Sequence, residues 1–126
     1  MSQGLRRFHV GDRMSEMTIH NGTVYLAGQI AEDGSQDIRG QTAQVLAAID
    51  KLLLEAGTDK AHILRCQIFI KDLADFAAMN EIWEDWVAPG DAPPRATVQA
   101  NLAKPEWKIE MVVTRRSDTA PRTGLQ

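Results

Sequence analysis

The stretch HILRCQIFIKDLADFAAMNEIWEDWVAPGDAPPRATVQAN, residues 62–101, holds three patterning signals in succession. From His62, HILRCQIFIK is an apolar run rich in β-branched and aromatic side chains, the composition of a strand. Leu64, Cys66, Ile68 and Ile70 alternate along it with Ile63 and Phe69, so both faces carry apolar groups. Then the period changes. Phe76, Met79, Trp83, Trp86 and Val87 recur at offsets of 3, 7, 10 and 11, which is the stripe of an amphipathic helix. Asp75 is placed to cap it, and Pro89-Gly90 to stop it. RATVQAN, opening at Arg95, returns to a period of two, with Pro93 and Pro94 fixing the backbone at its entrance and removing two amide donors.

Upstream, DIRGQTAQVLAAIDKLLLEAG carries Val45, Ile49, Leu52, Leu53 and Ala56 at helical spacing and ends at Gly57, a helix-terminating residue. Before it, EMTIH and TVYLAGQI flank the Asn21-Gly22 dipeptide, the strongest short hairpin signal, and RRFHV is a weaker first strand. Downstream, WKIEMVVT follows RATVQAN across LAKP, and the two read as a second hairpin. The order β-β-β-α-β-α-β-β makes an α+β domain with two helices on one sheet face. Val24 and Leu26 oppose Tyr25 and Ala27 in TVYLAGQI, so this strand too is apolar on both sides. A second cover is expected, most simply a partner subunit.

In RATVQAN, Arg95, Thr97 and Gln99 share one face and Ala96, Val98 and Ala100 the other; in WKIEMVVT, Trp107, Ile109, Met111 and Val113 oppose Lys108, Glu110 and Val112. A hairpin that matches apolar with apolar puts Ala96 and Val98 beside Ile109 and Met111, and so sets Arg95 and Glu110 on one side. Two readings of that pair stand. One is a cross-strand ion pair contributing about 0.2–1 kcal/mol. The other is a guanidinium offering parallel donors to a planar carboxylate ligand, with Glu110 orienting a water or moving a proton.

Length and composition bound the classes. The 126 residues suffice for one core, read here as a single domain over residues 1–115 with a polar, aperiodic tail over 116–126. Net charge is −3, with 14 basic and 17 acidic residues and no basic run, which weighs against a nucleic-acid partner. No apolar leader and no run of 18 apolar residues occurs, so neither export nor a membrane partner is expected, and the cytoplasm is the expected compartment. A lone cysteine, Cys66, in an apolar strand reads as a small core hydrophobe. His9, His20 and His62 lack metal-ligand spacing, and no metal is expected. Trp83 and Trp86 read as core, and Asn80, off the helical stripe, as a surface amide.

The segments VYLAGQI, IFIKDLADFAAMNEIWEDWV and PPRATVQANLAKPEWKIEMVV resemble the RidA/YjgF family of reactive-intermediate deaminases, over roughly Arg13 to Arg115. The resemblance implies a chorismate-mutase-like fold, a homotrimer whose sheets close into a barrel, and hydrolysis of small 2-imino and 2-enamino acids to 2-oxo acids and ammonia without a cofactor, in clefts between subunits. It further implies Arg95 as the carboxylate clamp, Glu110 as the residue that positions the hydrolytic water, and Asn80 as the amide that closes the site. The family's strand-end Ser-Gly-Gln falls on Ala27, Gly28 and Gln29, its pocket tyrosine on Met14, and its cysteine two after the arginine on Thr97; these complete the expected substrate contacts. The departures at Met14, Ala27 and Thr97 resemble a branch that keeps the arginine and lacks the tyrosine. A non-catalytic trimer that binds a carboxylate metabolite, or regulates a metabolic enzyme, is the alternative.

Overall fold

The computed structural model describes residues 4–117. Its strands are β1 (Arg6–Val10), β2 (Ser15–His20), β3 (Thr23–Leu26), β4 (Gln29–Ile30), β5 (Ile63–Ile70), β6 (Arg95–Gln99) and β7 (Ile109–Arg116); its helices are α1 (Ile38–Glu55) and α2 (Phe76–Trp86). They form one sheet in the order β1-β2-β3-β7-β5-β6, with β4 also on β7.

Local signals act where they were read. Asn21 and Gly22 both take positive φ, as the tight β2–β3 turn demands, and Ile19 pairs with Val24 across it. The Asp37 side chain accepts from the Gly40 amide at 2.9 Å and caps α1. At the other end, Gly57 at φ 80° lets its own amide reach Leu54 O and the Thr58 amide reach Leu53 O, both at 2.9 Å, the paired bonds of a Schellman motif. The cap near α2 is one turn earlier than expected: Asp72, not Asp75, accepts from the Ala74 amide and opens a 3₁₀ turn, Leu73–Asp75, that leads into the helix.

The second hairpin does not form. β6 pairs with β5 in parallel, Cys66 opposite Arg95 and Ile70 opposite Gln99, while β7 pairs with the other side of β5, Cys66 opposite Val113 and Phe69 opposite Glu110. The connection β5-α2-β6 is therefore a crossover, and β5 separates the two strands expected to be partners. The register also reverses β6. Residues opposite one another share a face, so Arg95 and Thr97 join Cys66, Ile68, Met111 and Val113 on the helix-covered side. Ala96 and Val98 join Phe69, Glu110 and Val112 on the other. Arg95 and Glu110 thus lie on opposite faces of one sheet, contrary to the hairpin reading.

The core fills the space between the sheet and the helices, with Met17, Val24, Leu46, Ile49, Leu53, Ile68, Met79, Ile109 and Met111 among its buried side chains. In β5 the register shifts between Ile63 and Arg65; Ile63 is buried and Leu64 half exposed, so Leu64 leaves the core alternation expected of it. The opposite sheet face carries Tyr25 and Val98, both nearly half exposed, beside Phe69 and Val112. The doubly apolar strands are real, and among the described residues no element covers the second face. β7 runs through Arg116, and Ser117, also buried, donates its amide to Gly22 O. Residues 118–126, most of the expected tail, lie outside the described residues. Among the described residues no helix is long and apolar enough to cross a membrane.

Candidate active site around Arg95

Arg95 opens an edge strand directly behind two prolines, and its side chain turns toward α2. One Nη2 hydrogen bond goes to Asn80 Oδ1 at 2.5 Å, and Nη1 lies 3.9 Å from the Met79 sulfur. Its guanidinium carbon stands 5.1 Å from the Trp83 ring centroid and 5.9 Å from that of Phe76. The helical period produces this enclosure: positions 76, 79, 80 and 83 are one surface of α2, and all four meet the guanidinium. Asn80, expected as a surface amide off the stripe, instead shares the surface of Phe76, Met79 and Trp83 and is the residue that pins Arg95. Nothing in the sequence pattern marks that role; the resemblance alone singles it out.

No carboxylate among the described residues is within ion-pair distance of Arg95. The cross-strand ion pair is thereby excluded as the explanation for this charge. The guanidinium has five N–H donors, of which two are engaged, so an edge of the group remains for a ligand.

Glu110 occupies the opposite face. A Cβ on Gly28 would collide with its carboxylate, so the position between β3 and β4 takes a residue without a side chain. Its neighbours in the ladder are Phe69 on β5 and Ile30 on β4. Thr97 shares the face of Arg95, two residues along β6. Ala27 lies at the break, its amide bonded to Glu16 O and its carbonyl accepting from Gln29 Nε2.

Gln29 and Met14 are elsewhere. Gln29 is opposite Met111, on the helix side, and its amide also donates to Glu16 Oε1 at 3.1 Å. It lines a cleft of about 540 Å³ between α1 and the first strands, together with His9, Glu16, Lys51 and Glu55. Neither Arg95 nor Glu110 borders that cleft. Met14 sits half exposed in the β1–β2 turn. One chain therefore assembles Arg95, Asn80 and Thr97 in one place and Glu110 with Gly28 in another.

Cys66 lies under Arg95 in the sheet and is fully buried; that burial pushes its thiol up to about 12, against a smaller opposing effect of the Arg95 charge. It is inert as a nucleophile at neutral pH, as its apolar setting implied. Trp83 is buried as expected, yet it is also a wall of the arginine site.

Comparison with known proteins agrees with this architecture. The family model described as Endoribonuclease L-PSP matches residues 6–116. A RutC family protein of Haemophilus ducreyi is 47% identical over 110 residues, covering 87% of this chain and 94% of that protein. The RutC family protein YoaB of Escherichia coli is 46% identical over 101 residues, covering 80% and 88%. Among solved structures, a YjgF family member from Neisseria meningitidis superposes with a TM-score of 0.91 at 42% identity, covering 95% of this chain and all of the other. A Rid family protein from Yersinia pestis does so at 0.78 and 31% identity, covering 85% and 90%. By sequence over most of its length and by fold, this chain belongs to the L-PSP family of RutC, YjgF and Rid proteins.

Proposed function

We propose that this protein hydrolyses small 2-imino and 2-enamino acids to 2-oxo acids and ammonia, in clefts between the subunits of a homotrimer. The observation that carries the reading is the uncompensated Arg95 guanidinium, partly buried among Phe76, Met79, Asn80 and Trp83 with donors to spare. A cation withdrawn from water without a counter-charge favours an anionic ligand. A planar carboxylate matches the donors left on the guanidinium edge.

In the proposed step, Arg95 holds the carboxylate of the imino acid. Glu110 accepts a proton from water as the water oxygen bonds to the imine carbon, and the proton passes to the nitrogen. In the resulting carbinolamine the hydroxyl proton moves to the nitrogen by way of Glu110, and the C–N bond breaks as C=O forms, releasing ammonia and leaving the 2-oxo acid. An enamine is first protonated at carbon to give the same imine. The substrate carbon is already electrophilic, so placement and one acid–base group suffice for a barrier reduction of about 4 kcal/mol, roughly a thousandfold.

Because Arg95 and Glu110 face opposite sides of one sheet, the reading requires them from different chains: Arg95 of one copy and Glu110 of another seated against the open apolar face. The half-exposed Tyr25 and Val98 on that face favour such a cover. The acidic net charge of −3 weighs against RNA as substrate, although the family description names an endoribonuclease.

The test generates imines from several amino acids with an amino-acid oxidase and traps the survivors with semicarbazide. Faster imine loss with wild type than in buffer, abolished in Arg95→Ala, supports the proposal. Binding of a 2-oxo acid without turnover would replace it with the reading of a carboxylate-binding trimer, which the half-exposed Met14 at the pocket-tyrosine position favours.

A further inference from the structure

Nothing in the patterning of α2 distinguishes Trp83 from any other core tryptophan, but its surroundings do. The indole lies 5.1 Å from the Arg95 guanidinium carbon and also meets the Trp86 ring, centroids 5.6 Å apart and planes tilted at 44°. Trp86 is itself tethered: its Nε1 donates to Asp50 Oδ2 of α1 at 2.9 Å, and Lys60 Nζ stands 5.2 Å from the ring centroid. A chain of contacts thus links Asp50 of α1 through two indoles to the cation at the sheet edge.

An aromatic face attracts a cation without using any of its N–H groups. A carboxylate in the same place would neutralise the guanidinium and occupy the edge on which a ligand must bind. We infer that Trp83 is a positioning residue for Arg95: its ring, in contact with the tethered Trp86, fixes the orientation of the guanidinium so that the free edge is presented to a ligand carboxylate before the ligand arrives. This inference rests on the reading of Arg95 as the carboxylate clamp. Its energetic consequence lies in binding, because the ring touches the clamp and not the reacting carbon.

The experiment measures 2-oxobutanoate binding by calorimetry, and imine turnover, in wild type, Arg95→Ala, Trp83→Leu and Trp83→Phe, with a thermal melt of each. Trp83→Leu keeps an apolar side chain and removes the π face; it is expected to weaken binding and raise KM by about five- to tenfold with kcat held within about twofold. Trp83→Phe, which restores a ring, is expected to bind within about twofold of wild type. Equal weakening by Phe and Leu, or a fall in kcat at unchanged KM, overturns the inference. In wild type, saturating 2-oxobutanoate is expected to change tryptophan emission, and unchanged emission counts against the inference whether or not Trp83→Leu folds. If Arg95→Ala binds as tightly as wild type, the clamp reading itself fails; if it loses binding while Trp83→Leu keeps it, only the role of Trp83 fails.

Discussion

Two arginines of this sheet, both withdrawn from water, have opposite surroundings. Arg115, near the end of β7, is almost fully buried and is met by acceptors: Asp59 O at 2.6 Å, Asp59 Oδ1 at 3.0 Å and the Arg116 carbonyl. Arg95, at the start of β6, is met by an amide oxygen, a thioether and two aromatic faces, and by no carboxylate among the described residues. The first charge is balanced within the fold and fastens the loop after α1 to the sheet. The second is held in place but left electrically open. Burial alone does not mark a site; the kind of group that answers the charge does.

Substituting each arginine tests the contrast most severely. Arg95→Ala is expected to lower imine turnover by about a hundredfold or more while leaving urea stability within about 1 kcal/mol of wild type. Arg115→Ala is expected to do the reverse, costing about 3 kcal/mol in the same unfolding titration because three acceptors lose their donors, with turnover kept in the fraction that folds. If both substitutions act mainly on stability, the distinction collapses.

A finer change would turn one environment into the other. Asn80→Asp puts a carboxylate where Asn80 Oδ1 now accepts from Arg95, giving it the kind of partner Arg115 already has. Affinity for 2-oxobutanoate in calorimetry should fall by about tenfold, with the melting temperature unchanged or slightly raised. Unchanged affinity would mean that the open charge is not what binds.

On the opposite face, Gly28→Ala drives a methyl group into the Glu110 carboxylate. The expected result is a fall in kcat of about tenfold with little change in 2-oxobutanoate affinity, since the proposed step has Glu110 act on the water and Arg95 on the carboxylate.

The smallest effect concerns Cys66, beneath Arg95. Its neutral thiol is favoured by folding, from an ordinary 9.0 to about 12, so the unfolded chain ionises first as pH rises. Stability from this group is intact below pH 9 and declines between about 9 and 12, which unfolding titrations of wild type and Cys66→Ala across that range would resolve as a converging difference. At pH 7 the native thiol should resist alkylation and react only on unfolding.

What was legible in the sequence was local. The Asn21-Gly22 turn, the stripe of α1 with its Gly57 terminus and the stripe of α2 each depend on neighbours within a few residues, and each stands where it was read. The partner of β6 was not legible, because pairing is decided across the chain. The strand–helix–strand order of β5-α2-β6 was the available signal for a parallel crossover, and the proximity of WKIEMVVT in sequence outweighed it. Arg95 takes the face opposite to the one its pattern implies for a related reason. Ala96 and Val98 are more apolar than Arg95, Thr97 and Gln99, so apolar matching turned them to the core; in the fold they lie on a second sheet face that is itself apolar. A pattern rule that assumes one polar face fails on a sheet with two apolar ones. The period sets Asn80 on the α2 surface of Phe76, Met79 and Trp83 but not its role, because its partner is a cation fifteen residues away on another element.

That second face leads to the central claim, that one functional site takes Arg95 from one chain and Glu110 from another. Mixing tests it directly. Arg95→Ala and Glu110→Ala chains are each expected to be inactive in the imine-trapping assay. Unfolded together and refolded at equal amounts, they should recover about a quarter of wild-type activity, since each mixed cyclic trimer regains one intact interface of three. A refolded mixture as inactive as its parents would contradict the account.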